Sequence, residues 1–403
     1  MSGRKPTERG VLVWMCVLIG VNQLGFGAVI PVLPLYAESF GVSQTAIGAT
    51  IAVYGLARMV SNIPAGQLAD WLGRRAALAT GGLVSALGNI WCAFATSYEE
   101  LVIARFAAGA GAGIALTAGV IVLADITTPA RRGRAMAIYQ GVFLFAVGIG
   151  PLPGGFLAER YGLPAPFLVY GAASALAALV GWFGVPETRE FRATPELVAR
   201  DRISLLEQFR LLMSKSGFRL VSTISLINAL ARTGALFSIV PLIGRERLLL
   251  DASQIGFGLA FGSVVGLLLT YPAGAVVDRY GRKTIIVPTT VLTGISMLLF
   301  GIAPTFSWFI VACLVWGGAS AASGAAPAAY AADIAPPGMT ATAMGMFRML
   351  SDIGYVLGPI MLGWLADAYG MQAPLWTAAG LLIGVGILFA LYAPETYRRG
   401  VAS

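Results

Sequence analysis

Five charged side chains lie where charge is costly. Arg58, Arg105, Arg232, Arg348 and Asp352 sit inside long apolar runs. Placing such a group at the centre of a membrane helix costs about 2.5–3.5 kcal/mol on insertion scales, so those that remain there are paired or functional. Asp352 is the one acid placed deep; the others fall in loops or near the ends of apolar runs. Arg348 and Asp352 are four positions apart, share a helix face and can pair. The chain has no histidine, so a carboxylate is the default group for proton chemistry. Burial disfavours its charged form and a nearby arginine favours it. A carboxylate that meets the two conditions in turn takes up a proton and releases it. The structural alternative is an ion pair in which Asp352 only neutralises Arg348.

A second set of charges lies between apolar runs. Gly66-Gln-Leu-Ala-Asp70-Trp-Leu-Gly73-Arg74-Arg75 returns 208 positions later as Gly274-Ala-Val-Val-Asp278-Arg-Tyr-Gly281-Arg282-Lys283. The same offset carries Asp125 to Asp333, Gly150-Pro151 to Gly358-Pro359, Gly155 to Gly363, and Pro186-Glu187-Thr188 to Pro394-Glu395-Thr396. One offset through so many landmarks marks a duplication with both halves in the same orientation, an arrangement found in membrane transporters. Gly66 and Gly73 permit a tight turn. Asp70 and Asp278 can each face a helix amino terminus, whose partial positive charge favours a carboxylate. The structural alternative for the basic residues is that they only set topology.

Composition explains why lipid must cover this chain. Of 403 residues, 57% are hydrophobic and 11% charged, against about 25% charged in soluble domains. The net charge of +8 does not point to nucleic acid, because its distribution accounts for it. With the amino terminus in the cytoplasm, 20 of 27 Lys and Arg fall in cytoplasmic segments, three (Arg160, Arg245, Arg247) on the other side and four within spans. That bias predicts a multi-pass protein with both termini cytoplasmic, in the cell (inner) membrane. Cys16, Cys92 and Cys313 lie in apolar runs and read as small packing residues, not as a disulfide or metal site. No nucleotide-binding loop of the G-x-x-x-x-G-K-[ST] type is present, which argues against ATP coupling. No enzyme chemistry and no cofactor is implied.

Twelve runs are long enough to span a bilayer, at ~20 apolar residues each: about 11–36, 44–68, 76–95, 100–124, 134–158, 164–185, 218–243, 253–276, 284–303, 307–332, 340–365 and 373–394. The expectation is all-α, with an amino-terminal six-helix bundle over 1–185 and a carboxy-terminal one over 218–403. The 186–217 segment between them is a charged linker, and its Ile203–Leu212 part reads as an amphipathic surface helix. The first run is longer than the apolar region of a signal peptide and lacks a small-residue cleavage site.

These residues resemble the major facilitator superfamily. G-x-L-x-D-x-x-G-R-R between spans two and three is similar to its signature loop, with the echo between spans eight and nine. Ala146-Val-Gly148-Ile-Gly150-Pro151-Leu-Pro153-Gly154-Gly155 resembles the G-x-x-x-G-P-x-x-G-G motif of its antiporters, with Ala146 in place of the first glycine. Arg105 followed by Gly109, Gly111 and Gly113 resembles the motif around a membrane arginine in drug:proton antiporters. The resemblance implies two six-helix bundles related by a pseudo-two-fold, rocking around a central cavity lined by spans 1, 4, 7 and 10. It implies that Asp70 meets the terminus of span 11 and Asp278 that of span 5. Arg74, Arg75, Arg282 and Lys283 would add ionic contacts to this clamp. Gly150, Pro151, Gly154, Gly155, Gly358 and Pro359 would form bendable seams, span five closing against span eight. Spans 2 and 11 would meet across the seam, making Arg58 the switch partner of Asp352, beside Arg348 and Arg105.

On the cavity spans, the polar groups Asn22, Gln23, Asn228 and Arg232 are few, and Phe26, Phe237 and Trp316 stand among them. Sparse polar anchors among apolar walls suit a lipophilic or amphiphilic compound. The leading expectation is a monomeric transporter that exports such small molecules in exchange for protons. Two others stay open: an importer or facilitator of an anionic metabolite, drawn by four membrane arginines against one acid, and a lipid exporter.

Overall fold

The computed structural model describes residues 8–127, 129–188, 204–323, 325–336 and 339–396. Most of the expected linker, residues 189–203, lies outside the described residues. The remainder is helical. In chain order the helices are α1 (Glu8–Val29), α2 (Leu33–Glu38), α3 (Gln44–Leu72), α4 (Arg74–Ala93), α5 (Tyr98–Ile126), α6 (Pro129–Ile149), α7 (Pro151–Tyr161) and α8 (Ala165–Phe183), followed by the short α9 (Leu205–Ser214). Then come α10 (Ser216–Leu230), a π-helical stretch (Ala231–Ile239), α11 (Val240–Glu246), α12 (Ala252–Tyr280), α13 (Lys283–Ile302), α14 (Phe306–Ser323), α15 (Ala325–Ile334), α16 (Thr340–Tyr369) and α17 (Ala373–Tyr392). Among the described residues, eleven helical stretches are long and apolar enough to cross a membrane, and twelve when α3, bent by 50° near Pro64, counts as one span. A proline inside a helix removes one ladder bond and clashes with the preceding turn, which accounts for the bend.

Local chemistry sets the helix starts. Ser97 caps α5 by accepting from the Glu100 amide at 3.2 Å, and the Glu100 carboxylate reaches back to accept from the Thr96 amide at 2.7 Å, one residue before the cap. Ser204 caps α9 by accepting from the Glu207 amide at 3.2 Å. The amphipathic helix expected over Ile203–Leu212 is therefore formed, shifted two residues by its cap. α8 and α17 both carry proline in the first turn, at Pro166 and Pro374, where the missing N–H has no helical partner to lose.

The chain divides into two compact units. Unit 1 is Met1–Val42, Ala49–Leu197 and Asp251–Ala260; unit 2 is Ser43–Gly48, Val198–Leu250 and Phe261–Ser403. The halves expected from the duplication are thus modified in two places, where the first turns of α3 and α12 each belong with the other half. In unit 1, α4 packs on α5 and α8, and α1 on α8 and α6, around a core that includes Met15, Ile19, Leu78, Val122 and Tyr139. In unit 2, α13 packs on α17 and α14, and α10 on α16. Glycines let these backbones touch: a Cβ at Gly111 would overlap the Ser85 amide, and one at Gly317 the Gly262 carbonyl. Close small-residue packing replaces the hydrophobic drive that lipid cannot supply.

Candidate functional site

The signature loop builds a closed ionic network within unit 1. Gly73, at φ +97°, turns the chain between α3 and α4, a conformation in which an L side chain is strained. The turn delivers Arg74 into the unit, where its Nε donates to Asp125 Oδ2 at 2.8 Å and its Nη1 to Asp70 Oδ1 at 2.8 Å and to the Ala69 carbonyl at 2.9 Å. The amides of Arg74 and Arg75 donate to the Glu187 carboxylate at 3.0 and 3.3 Å, and the Thr188 hydroxyl to Asp125 at 3.2 Å. Arg75 lies over the Trp182 ring at 4.5 Å.

Unit 2 repeats the device. Gly281 turns at φ +100°. Arg282 Nε donates to Asp333 at 3.1 Å, the Arg282 and Lys283 amides to Glu395 at 3.3 and 3.2 Å, and the Thr396 hydroxyl to Asp333 at 3.3 Å. Lys283 Nζ reaches the Ala393 carbonyl at 2.8 Å. The two copies differ in burial: the Arg74 and Asp125 side chains are 2% and 7% exposed, those of Arg282 and Asp333 20% and 36%.

The ionic contacts expected of Arg74 and Arg282 are made, in each case, to an acid of the same unit. Asp70, half exposed, takes Arg74 as a partner. The Asp278 side chain lies outside the described residues.

A correction concerns the deep charges. Arg348 is exposed and Asp352 half-buried on α16, and no ion pair joins them among the described residues. Spacing by four puts two side chains on one face but does not oblige them to meet. Arg105 is buried, with its guanidinium 4.2 Å above the Tyr54 ring. Its Nε reaches the Thr50 carbonyl at 3.4 Å, and its Nη1 is buried without a hydrogen-bond partner. Arg58 is half-buried on α3 in unit 1.

The expected cavity residues divide. Asn22 and Gln23 are buried. The Asn22 amide donates to Ser174 Oγ at 3.2 Å, and Ser174 meets Ser85 at 3.3 Å. Asn22 therefore spends its donor on α8 inside unit 1. Phe26 stacks on Tyr54 at 5.5 Å and edges Tyr170 at 6.3 Å; the two tyrosine hydroxyls are 3.0 Å apart. In unit 2, Asn228 returns its amide to the Ile224 carbonyl at 3.0 Å. Arg232 is exposed, and Phe237 and Trp316 are half-buried. Arg232 and Phe237 lie on the π-helical stretch, a form concentrated at functional sites.

The comparisons with known proteins fit this architecture. The Major Facilitator Superfamily profile matches residues 15–248 and again 221–403. The chain belongs to the major facilitator superfamily. An uncharacterized MFS-type transporter of Methanocaldococcus jannaschii is 26% identical over 382 residues, covering 94% of this chain and 97% of that protein. The class E tetracycline resistance protein of Escherichia coli is 27% identical, covering 92% and 91%. Among solved structures, a bacterial homolog of the human lysosomal transporter Spinster superposes with a TM-score of 0.78 at 16% identity, covering 96% of this chain and 97% of that one. The protein is a multi-pass membrane transporter and not an enzyme, and the two-bundle fold is that of the family.

The antiporter-like glycines of this transporter divide between two neighbours, α1 and α12. A Cβ at Gly150 would come within 2.6 Å of Gly27 Cα, and one at Gly154 would overlap the Ala28 carbonyl, both on α1 of the same unit. Gly155 would strike α12 at the Ala252 carbonyl, while Pro151 offers its carbonyl to the space beside Gly256. In unit 2, Gly358 abuts Leu230 of α10, and the Pro359 carbonyl abuts Gly48. Gly154→Leu is therefore expected to destabilise unit 1 by about 1–3 kcal/mol through overpacking against α1. The thermal unfolding midpoint of purified protein measures this, and an unchanged midpoint contradicts the packing assignment.

The acids Asp125, Glu187, Asp333 and Glu395 were missed as site residues. Their signal was in the repeat: each pair stands at the 208-residue offset. The offset marks which residues are alike and leaves open which arginine they hold.

Proposed function

We propose that this facilitator exports small lipophilic or amphiphilic compounds in exchange for protons. The observation that carries the reading is Asp352, a half-buried carboxylate midway along α16 with no ion-pair or hydrogen-bond partner among the described residues. Proton exchange requires such a group, and the chain has no histidine to take its place. Two further features support the reading. Asn22 and Asn228, polar groups expected to line a cavity, are turned to internal partners, which lowers the polarity available to a cargo. The relatives include a tetracycline resistance protein. The test is uptake of a panel of labelled compounds by inverted membrane vesicles, with and without an imposed pH difference. Accumulation of apolar compounds that collapses when the gradient is dissipated supports the reading; accumulation indifferent to the gradient overturns it.

A second reading, transport of an anionic metabolite in either direction, draws on Arg105, buried without a salt bridge among the described residues, and on exposed Arg232. Arg232→Ala separates the two. Under the export reading, neutral compounds still move and the range of compounds shifts. Under the anion reading, binding of every anionic compound is lost. A lipid exporter would pass neither panel and would instead translocate labelled phospholipid.

The proposed gate remains Asp70 with its repeat partner Asp278, acting through charge at helix amino termini. Asp70→Asn is expected to reduce transport several-fold with expression intact, as about 1.4 kcal/mol corresponds to each factor of ten. Full transport by this variant contradicts a gating role.

A further inference from the structure

α3 and α12 are repeat counterparts, and each begins among residues of the half that does not hold its remainder. Ser43–Gly48 belongs to unit 2 and Asp251–Ala260 to unit 1. The docking is backbone on backbone. A Cβ at Gly48 would overlap the Pro359 carbonyl and one at Gly363 the Gln44 carbonyl; at the offset of 208, Gly256 meets Pro151 and Gly155 meets Ala252. Both contacts are equally close, yet the two helix starts are capped in different ways.

The first amides of a helix have no partner within it. α12 supplies its own: Asp251 Oδ1 accepts from the Gln254 amide at 2.7 Å, and Gln254 Oε1 accepts from the Asp251 amide at 3.2 Å. The repeat equivalents in α3 are Ser43 and Ala46, and alanine has no group with which to close the box. Ser43 Oγ accepts from the Ala46 amide at 3.3 Å. The amides of Gln44 and Thr45 instead donate to the two carboxylate oxygens of Asp367, at 2.8 and 2.9 Å, and the Thr45 hydroxyl donates to the same group. Asp367 lies in the last turn of α16, 322 residues from Thr45. Asp367 and its own repeat equivalent, Glu159, are both exposed, and Glu159 makes no hydrogen bond among the described residues.

We propose that Asp367 is a positioning residue for transport: a cap supplied from another helix that latches the first turn of α3 onto α16, and whose release is a step of the transport cycle. α12 can leave its docking place with its cap intact. α3 cannot, because undocking exchanges two amide bonds and a hydroxyl bond to a carboxylate for bonds to water and removes the charge that the helix amino terminus attracts. One helix start is thus capped by a carboxylate from another helix, and its repeat counterpart is capped by its own residues. The inference is independent of the direction of transport and of the nature of the cargo.

The test reads exposure of the docked turn. Gln44 is half-buried, with its Oε1 enclosed and without a hydrogen-bond partner, so Gln44→Cys keeps the amide that Asp367 holds and places a thiol on the docked turn. Cys16, Cys92 and Cys313 are first replaced by alanine, and the full-length purified protein is treated with a soluble maleimide. Asp367→Asn is expected to raise the labelling rate at least about tenfold, the scale of losing charged hydrogen bonds. Asp367→Glu should largely restore protection, and Glu159→Gln should leave the rate unchanged. Equal rates for Asp367→Asn and Glu159→Gln, with unaltered gel-filtration profiles, overturn the proposal. Should Asp367→Asn fail to fold, Thr45→Val removes the hydroxyl bond while keeping the carboxylate. Labelling several-fold faster supports the latch, and an unchanged rate overturns it. In vesicles, release of the latch should alter the maximal rate of transport and leave the concentration dependence little changed.

Discussion

Asp125→Ala is expected to destabilise the protein by about 3 kcal/mol or more, whereas Asp333→Ala at the equivalent position should cost no more than about 1 kcal/mol. The same bonds are lost in each case: an arginine Nε loses its carboxylate, and a threonine loses an acceptor. The difference is water. Arg74 is almost fully enclosed and Asp125 nearly so, and removing the acid leaves a guanidinium that solvent cannot reach. Arg282 and Asp333 are open enough for water to take over. Asp70 keeps its bond to Arg74 Nη1, which holds the loss at the lower end of the range for a broken buried pair. Replacing both partners, as Arg74→Leu with Asp125→Leu, should recover part of the stability, because no stranded charge remains. Thermal unfolding midpoints of the purified variants measure the series. Equal losses at Asp125 and Asp333 would mean that burial does not set the strength of these staples.

Asp352→Asn is expected to abolish accumulation driven by a pH difference while leaving downhill exchange or binding of the cargo largely intact. The amide keeps the size of the carboxylic acid and loses the proton. No histidine is present to substitute, and Arg348, although one turn away, does not hold the carboxylate in an ion pair. The competing account, in which Asp352 serves only to neutralise Arg348, is weakened by that missing pair. It makes its own prediction: Asp352→Asn alone should express poorly, and exchanging the two charges should rescue it. Arg58→Ala is expected to uncouple transport in the same way, and the double variant should be no worse than either single one. Asp352→Asn vesicles that still concentrate a compound when given a pH difference would end the coupling proposal. The acids at span ends, such as Glu38 or Asp125, would then become the candidates.

Much of the architecture was readable before any coordinates. Each of the twelve apolar runs became a span or a broken span, because a bilayer core has no water to satisfy a backbone and leaves an apolar chain one local solution, the helix. The duplication was readable for a related reason. Tight turns at Gly73 and Gly281 need a positive φ, caps need specific side chains, and residues under such constraints keep their spacing. The family followed from the same landmarks.

Partners were a different matter, since they depend on which helix faces which. The repeat flagged Asp125 and Asp333 without saying that each would take the arginine 51 positions before it. Spacing by four put Arg348 and Asp352 on one face, yet an exposed guanidinium gains little from a neighbour that water can replace, and the two remain apart. Asn22 was placed on a cavity helix, but its amide found Ser174 within the unit, where a buried donor left without an acceptor would cost more. Asp367 carried no signal at all in the chain. Its role exists because the last turn of α16 passes the first turn of α3, and because Ala46, where α12 has Gln254, leaves α3 without a side chain to complete its own cap. Hydropathy and spacing determine what is local; only the packed structure decides which buried donor meets which acceptor, because that choice is made by desolvation between segments hundreds of residues apart.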